Sequence, residues 1–417
     1  MLMSGKISNF LINKNFTKLW LSQGLSLLTS NMLNFILMIK IFEATGSTVA
    51  VGLYLALYTL PSVFLGLFAG AFIDLWSKRK ILILTNAAQA LVVLLYLGAS
   101  DKIWPIYSIV LLYSMCDEFF LPAQASTLPA IVSKKQLSRA NSLFMMTMQA
   151  TFLIGFTIGG PIIRLLGNQG PFILASLFLM VSALSVYFLP KDKPADEIKF
   201  SKNFDENFEK IISQIREGYS FIRKERKILI PLVIYVLIQV VMAIVTILFP
   251  VISQKLLAVD IRDAGLILIT PLGFGMIAGM FALNRIIDRM GKRISIAIGS
   301  FLAILGVLGI VIAAPAVKLK IPVACFSTFL LGISMVFSLV PTQTLLQENT
   351  PFKVRGRVFG ILGALTTIAL AVPVFVSAAL VDILGPIWAI GLICVILSTI
   401  GILSARKKYV KQFYYRA

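Results

Sequence analysis

Histidine is absent from this sequence of 417 residues, and cysteine occurs only three times. Without histidine, the chain lacks the commonest metal ligand and the commonest general base at neutral pH. The cysteines, Cys116, Cys325 and Cys394, each sit inside an apolar run and share no metal-ligand spacing. They exclude a disulfide framework and read as small fillers in helices. Charge is also scarce, at 13% of residues, about half of the ~25% of a soluble domain. No phosphate-cradling G-x-x-x-x-G-K-S/T run occurs, which excludes an ATPase of that kind. No nucleophile, base and acid stand together. Neither an enzyme nor a metal carrier fits, and no cofactor is expected.

What the sequence has is apolar length. Hydrophobic residues make up 58% of it, more than can be buried inward in water. About 20 apolar residues cross a bilayer as a helix. Twelve such runs are predicted. Six fall at Phe16–Phe42, Val49–Ile73, Ile81–Ala99, Ile103–Leu121, Ala140–Leu166 and Pro171–Leu189. Six more fall at Leu229–Gln254, Ala264–Ile287, Ile294–Ala314, Ile321–Leu346, Val358–Ile383 and Ile387–Leu403. The first run is too long for the core of a signal peptide and reads as an uncleaved helix.

The net charge of +20 comes in short clusters between apolar runs. A nucleic-acid binder would need one continuous basic face, so no nucleic-acid partner is expected. With the N-terminus in the cytoplasm, 31 of the 38 Lys and Arg fall on the inner side and 7 on the outer. That asymmetry predicts a multi-pass membrane protein with both termini cytoplasmic, and the expected location is the bacterial inner membrane.

Three regions follow: an N-terminal six-helix bundle over 1–189, a cytoplasmic linker over 190–228, and a C-terminal six-helix bundle over 229–417. Inside the linker, Phe204, Phe208, Ile211, Ile212, Ile215, Tyr219 and Ile222 recur at steps of three and four. They form the apolar stripe of a surface helix on the inner leaflet. The halves repeat. Asp74, Lys78 and Arg79 recur as Asp288, Lys292 and Arg293, and Lys135 and Arg139 recur as Lys353 and Arg357. This is the signature of a parallel repeat.

Gly70, Asp74, Lys78 and Arg79 carry a resemblance to the major facilitator superfamily, whose loop motif is G-x-x-x-D-x-x-G-R/K-R/K. Ser77 replaces a glycine in the first copy. The second copy keeps Asp288, Gly291, Lys292 and Arg293, with Asn284 at the first glycine. An aspartate at a helix end can meet a neighbouring helix N-terminus and a basic partner. Arg355 or Arg357 would partner Asp74, and Arg139 would partner Asp288, as a cytoplasmic gate. Four further stretches resemble the macrolide-efflux and enterobactin-exporter branch: Phe16 to Ser26, Phe119 to Asn141, Glu217 to Tyr219, and Arg357 to Gly360. That resemblance implies an all-α fold of two six-helix bundles and export by proton antiport. Two departures stand out. Ile106 to Cys116 lacks the arginine of the drug antiporters' helix 4. In helix 5, Gly155, Gly159, Gly160 and Pro161 are not followed by a later glycine pair.

An ionisable group inside a membrane is a functional candidate. Asp117 and Glu118, in the inner half of helix 4, either carry a proton or lock the Lys78–Arg79 loop. The substrate cavity is expected between the halves near mid-membrane. On helix 1, Gln23, Ser30 and Asn34 share one face. On helix 7, Tyr235, Gln239, Met242 and Thr246 share another. Met145, Met146, Met148, Gln149 and Phe152 of helix 5 add an adaptable apolar wall. Such a lining suits a bulky amphipathic molecule better than a sugar or an ion. The expected protein is a monomeric secondary exporter working by alternating access, with protons as coupling ion and membrane lipid around it. The alternatives are a lysolipid, lipid or metabolite transporter of the same fold, and a non-transporting sensor or scaffold.

Overall fold

The computed structural model describes residues 13–99, 102–133, 136–191, 222–223, 225–313, 319–351 and 355–405. Among them every regular element is a helix. In chain order these are α1 Lys14–Thr45, α2 Thr48–Leu75, α3 Lys78–Leu94, α4 Ile103–Ile131, α5 Leu137–Leu166 and α6 Gly170–Tyr187. There follow α7 Arg226–Leu256, α8 Ile261–Met290, α9 Lys292–Ala313, α10 Lys320–Asn349, α11 Arg355–Leu384 and α12 Pro386–Ala405. Eleven of the twelve carry a described stretch long and apolar enough to cross a membrane, and α2 adds the apolar segment Thr48–Ser62. Helices are what a bilayer demands, because each must satisfy its own backbone polar groups there. The linker stripe from Phe204 to Tyr219 lies outside the described residues.

Helix boundaries follow local chemistry. The Asn13 side chain caps α1 by accepting from the backbone N–H groups of Asn15 and Phe16. Its own amide donates to the carbonyl of Ile131 at 2.9 Å, tying the start of α1 to the end of α4. Gly46, at φ +63°, closes α1 in the left-handed region that glycine tolerates. Helices also run further than the apolar runs suggested. The largest difference is in α4, which was expected to stop at Leu121 and continues to Ile131 through Pro122 and Pro129. Each proline removes one intrahelical hydrogen bond, and packing offsets the loss. The loops after α2 and α8 shrink to two residues and one, so Asp74 and Asp288 lie within the last turns of their helices and Lys78 and Lys292 open the next ones.

The chain divides into two compact units. One comprises Met1–Gly46 and Leu53–Lys199, the other Ser47–Gly52 and Phe200–Ala417. In the first, α1 packs on α5 and α6, and α3 packs on α4 and α6. In the second, α7 packs on α11 and α12, and α9 packs on α10 and α12. Adding six to each helix number converts one set into the other, so the repeat seen in the loops extends to the packing. Glycines set the tightest seams. Gly155 of α5 faces the backbone of Met32 in α1, where an added Cβ would sit 2.9 Å from nitrogen.

Candidate functional site

The first unit buries a line of polar side chains. Asp117 falls at the middle of α4, not near its inner end, because α4 continues ten residues past the expected stop. Its two carboxylate oxygens are separately held. Gln89 of α3 donates to Oδ1 at 3.1 Å, and the Tyr58 hydroxyl of α2 donates to Oδ2 at 3.2 Å. Tyr58 is itself located by Ser114, whose hydroxyl donates to the Tyr58 carbonyl. Glu118 is half-buried beside Asp117 and makes no hydrogen bond or ion pair among the described residues.

One turn before Asp117, the Tyr113 hydroxyl and Ser30 of α1 share a hydrogen bond of 2.8 Å. One turn before Tyr58, Tyr54 donates to Oδ1 of Asn34. Four helices thus contribute to one polar core, from α1 (Ser30, Asn34), α2 (Tyr54, Tyr58), α3 (Gln89) and α4 (Tyr113, Ser114, Asp117). Seven residues beyond Asp117, Gln124 is 2% exposed, and neither end of its amide is bonded among the described residues. Such buried amides are costly without a partner.

Of the two carboxylates expected either to carry a proton or to lock the Lys78–Arg79 loop, Asp117 is bonded at mid-helix to Gln89 and Tyr58. At 1.5 Å per residue, the fourteen residues from Asp117 to Ile131 span about 20 Å. Arg79 instead donates from Nε (3.1 Å) and Nη2 to the Tyr187 carbonyl at the end of α6, and its guanidinium lies 5.1 Å from the Tyr187 ring centroid. In the second unit, Lys292 pairs with Glu348 near the end of α10. Asp288 and Arg139 are exposed, and Arg293 is half-buried. The side chains of Gly70, Asp74, Arg355 and Arg357 lie outside the described residues.

The remaining cavity candidates separate. Gln23 is buried and donates to the Phe144 carbonyl of α5 at 3.2 Å. Met145 and Met146 are exposed, as are Met148 and Gln149. On α7, Tyr235 packs against a cluster containing Leu232, Leu346 and Leu362. Gln239 is half-buried, and Thr246 is spent on the Met242 carbonyl at 2.8 Å. Met242 lines a nearly wholly apolar cavity of about 90 Å³ inside the second unit, with Val241, Val307, Leu331 and Leu397.

The sequence reading missed Tyr54, Tyr58, Gln89 and Tyr113. Their signal is the four-residue spacing of Tyr54 to Tyr58 and of Tyr113 to Asp117, which stacks both pairs on single helix faces. It also missed Asp382, in the last turn of α11. Its carboxylate accepts from the hydroxyls of Ser47 (2.7 Å) and Thr48 (2.6 Å) and from the N–H groups of Thr48 (3.1 Å) and Val49 (3.2 Å). It caps the start of α2 from a position 334 residues later in the chain.

Among the described residues, twelve long helices in two matching packings, with a carboxylate held inside one, are the arrangement of a membrane carrier. A family profile for the Major Facilitator Superfamily matches residues 19–374. The chain belongs to the Major Facilitator Superfamily. This family is one of membrane transporters that bind small-molecule substrates, and not of enzymes. Macrolide efflux protein A of Streptococcus pyogenes is 22% identical over 377 residues, covering 89% of this chain and 90% of that protein. Multidrug resistance protein 2 of Bacillus subtilis is 26% identical over 169 residues, 40% of each chain. Among solved structures, the nucleoside transporter NupG superposes with a TM-score of 0.68 at 13% identity, covering 96% of this chain and 99% of that one. A bacterial homologue of the iron transporter ferroportin in an inward-facing state superposes at 0.71 and 13% identity, covering 94% and 98%. At such identities the structures establish the major facilitator fold and nothing finer. The chain is a multi-pass membrane transporter of that superfamily.

Proposed function

We propose that this transporter exports amphipathic small molecules of the macrolide or siderophore kind from a bacterial cell, by proton antiport and alternating access. Both termini face the cytoplasm in this reading, as the distribution of Lys and Arg requires. The observation that carries the coupling is the bonding of Asp117. It sits at mid-span and, among the described residues, accepts only from the neutral donors Gln89 and Tyr58. No cation pairs with it among the described residues. A carboxylate at that depth is expensive to keep charged, and a proton is the ligand that neutralises it. Glu118, next to it, is the second carboxyl of the pair. Similarity along nearly the whole chain to Macrolide efflux protein A supports the substrate class and the direction. In the same reading Asp74 and Asp288, with Lys78, Arg79, Lys292, Arg293, Arg139, Arg355 and Arg357, form gating loops. Gln23, Ser30, Asn34, Met145, Gln149, Tyr235, Gln239, Met242 and Thr246 serve the substrate path.

The test is accumulation of a labelled macrolide in pump-deficient bacteria that express the protein, with and without a protonophore. Expression should lower accumulation, and the protonophore should restore it. Asp117→Asn or Glu118→Gln should abolish the protonophore-sensitive part. If both variants export like the wild type, the carboxylates are not the proton site. Unchanged accumulation on expression would remove macrolides as substrates and direct the search to lipids and native metabolites.

A further inference from the structure

A second site lies in the first unit, at the end of the bundle where α1 begins. There a cavity of about 400 Å³ opens between the start of α1 (Asn15), the start of α3 (Lys78, Arg79), the end of α4 (Thr127) and the segment after α6 (Leu189, Lys191). Three of its lining residues are cations. No described carboxylate lines it. The volume falls within the roughly 300–1,000 Å³ of small-ligand pockets.

Its walls are braced. Lys18 donates to the Phe188 carbonyl at 2.6 Å, Arg79 donates to the Tyr187 carbonyl, and Asn13 donates to the Ile131 carbonyl at 2.9 Å. These three bonds fix the starts of α1 and α3 and the ends of α4 and α6 to one another. Arg79 is held directly by one of these bonds, and the helix ends that carry Lys78 and precede Lys191 are tied together around the space. One wall is apolar, with Ile131, Leu189 and Pro190. A free inorganic anion has no use for that wall, whereas the glycerol and first methylenes of a lipid do.

We propose that this cavity binds the phosphate group of an anionic phospholipid, with Lys78, Arg79 and Lys191 on the phosphate and the apolar wall on the glycerol end. The site lies on the basic side of the chain, which is the side of the negatively charged cytoplasmic leaflet. It holds the α3 start, the α4 end and the α6 end around one headgroup, so a lipid there fixes the loop that carries the Lys78–Arg79 motif.

The experiment is native mass spectrometry of the purified full chain, with phosphatidylglycerol, phosphatidylcholine and inorganic phosphate as separate probes. The wild type should retain phosphatidylglycerol over phosphatidylcholine. Lys191→Gln and Lys78→Gln should each lower that retention about five-fold, the weight of one basic residue at an anionic surface. Lys320→Gln, at the start of α10, is the charge-matched control and should leave retention unchanged. Heating each variant with and without phosphatidylglycerol gives a second readout, in which the pocket variants should lose the lipid-dependent rise in melting temperature. Equal retention in all variants, or an equal fall in the control, overturns the site. Stabilisation by inorganic phosphate without retained phosphatidylglycerol overturns the lipid assignment and leaves a soluble-anion site.

Discussion

Replacing Gly332 with alanine tests whether α8 and α10 run at backbone contact. The new methyl would fall on the Leu272 carbonyl oxygen, 2.8 Å from the Met276 nitrogen and 2.9 Å from the Leu272 carbonyl carbon. Comfortable carbon contacts lie at ~3.5–4.0 Å. None of these atoms belongs to a side chain that can swing aside, so the helices must part by roughly 1 Å. Gly275 makes the reciprocal approach, with the Phe329 carbonyl carbon 2.9 Å from where its Cβ would stand. Overpacking of this kind costs about 1–3 kcal/mol, and an obstacle made of backbone belongs at the upper end. Alanine returns about 1 kcal/mol through its better helix propensity. The net loss is then about 2 kcal/mol. Gly391 of α12 has nothing within 4 Å of its added Cβ, so Gly391→Ala should be neutral or gain up to about 1 kcal/mol. The assay is the fraction of detergent-solubilised full-length protein that stays monodisperse after heating. Combining Gly275→Ala with Gly332→Ala should cost less than the two single losses together, because the first methyl has already parted the helices. A Gly332→Ala protein as stable as the wild type refutes the reasoning, and so does a fully additive double variant.

Two further outcomes are expected. Asp382→Ala removes the cap from α2 and should lower stability by about 1 kcal/mol, whereas Asp382→Asn should lose less, because its amide oxygen still accepts from Thr48 while its NH2 group offers no acceptor to the Val49 N–H; equal melting temperatures for the two variants would contradict the capping role. Under the gating proposal, Asp74→Asn should slow substrate turnover while leaving substrate affinity near that of the wild type, because a gate biases a conformational equilibrium without touching the ligand; a large loss of affinity at normal turnover would count against it.

The sequence exposed the fold because a bilayer leaves few options. Runs of twenty apolar residues with basic punctuation have one physical reading, and the doubled Asp74 and Asp288 loops expose the repeat. Helix ends were harder to place. Periodicity and hydropathy lose their signal where a helix leaves the apolar layer, and proline reads as a stop. Pro122 and Pro129 therefore concealed the last ten residues of α4 and misplaced Asp117 along its helix. The site was legible only in its charged members. Asp117 stands out in an apolar run, but Tyr58 and Gln89 are ordinary residues for such helices, and what joins them to Asp117 is tertiary packing among α2, α3 and α4. Asp382 shows the same limit in another form. Its partners at Ser47 and Thr48 are separated from it by most of the chain, and no local pattern connects them.

Pro122 has a consequence beyond the length of α4. It has no N–H to give, so the carbonyl of Glu118, four residues earlier, is left without its intrahelical donor. Pro129 does the same to the carbonyl of Ala125. The rod that carries Asp117 is thus articulated at two places below the carboxylate. Both places lie on the C-terminal side of Asp117, where proline is the usual cause of a helix bend, so the half of α4 that precedes the acid keeps its full ladder of intrahelical bonds.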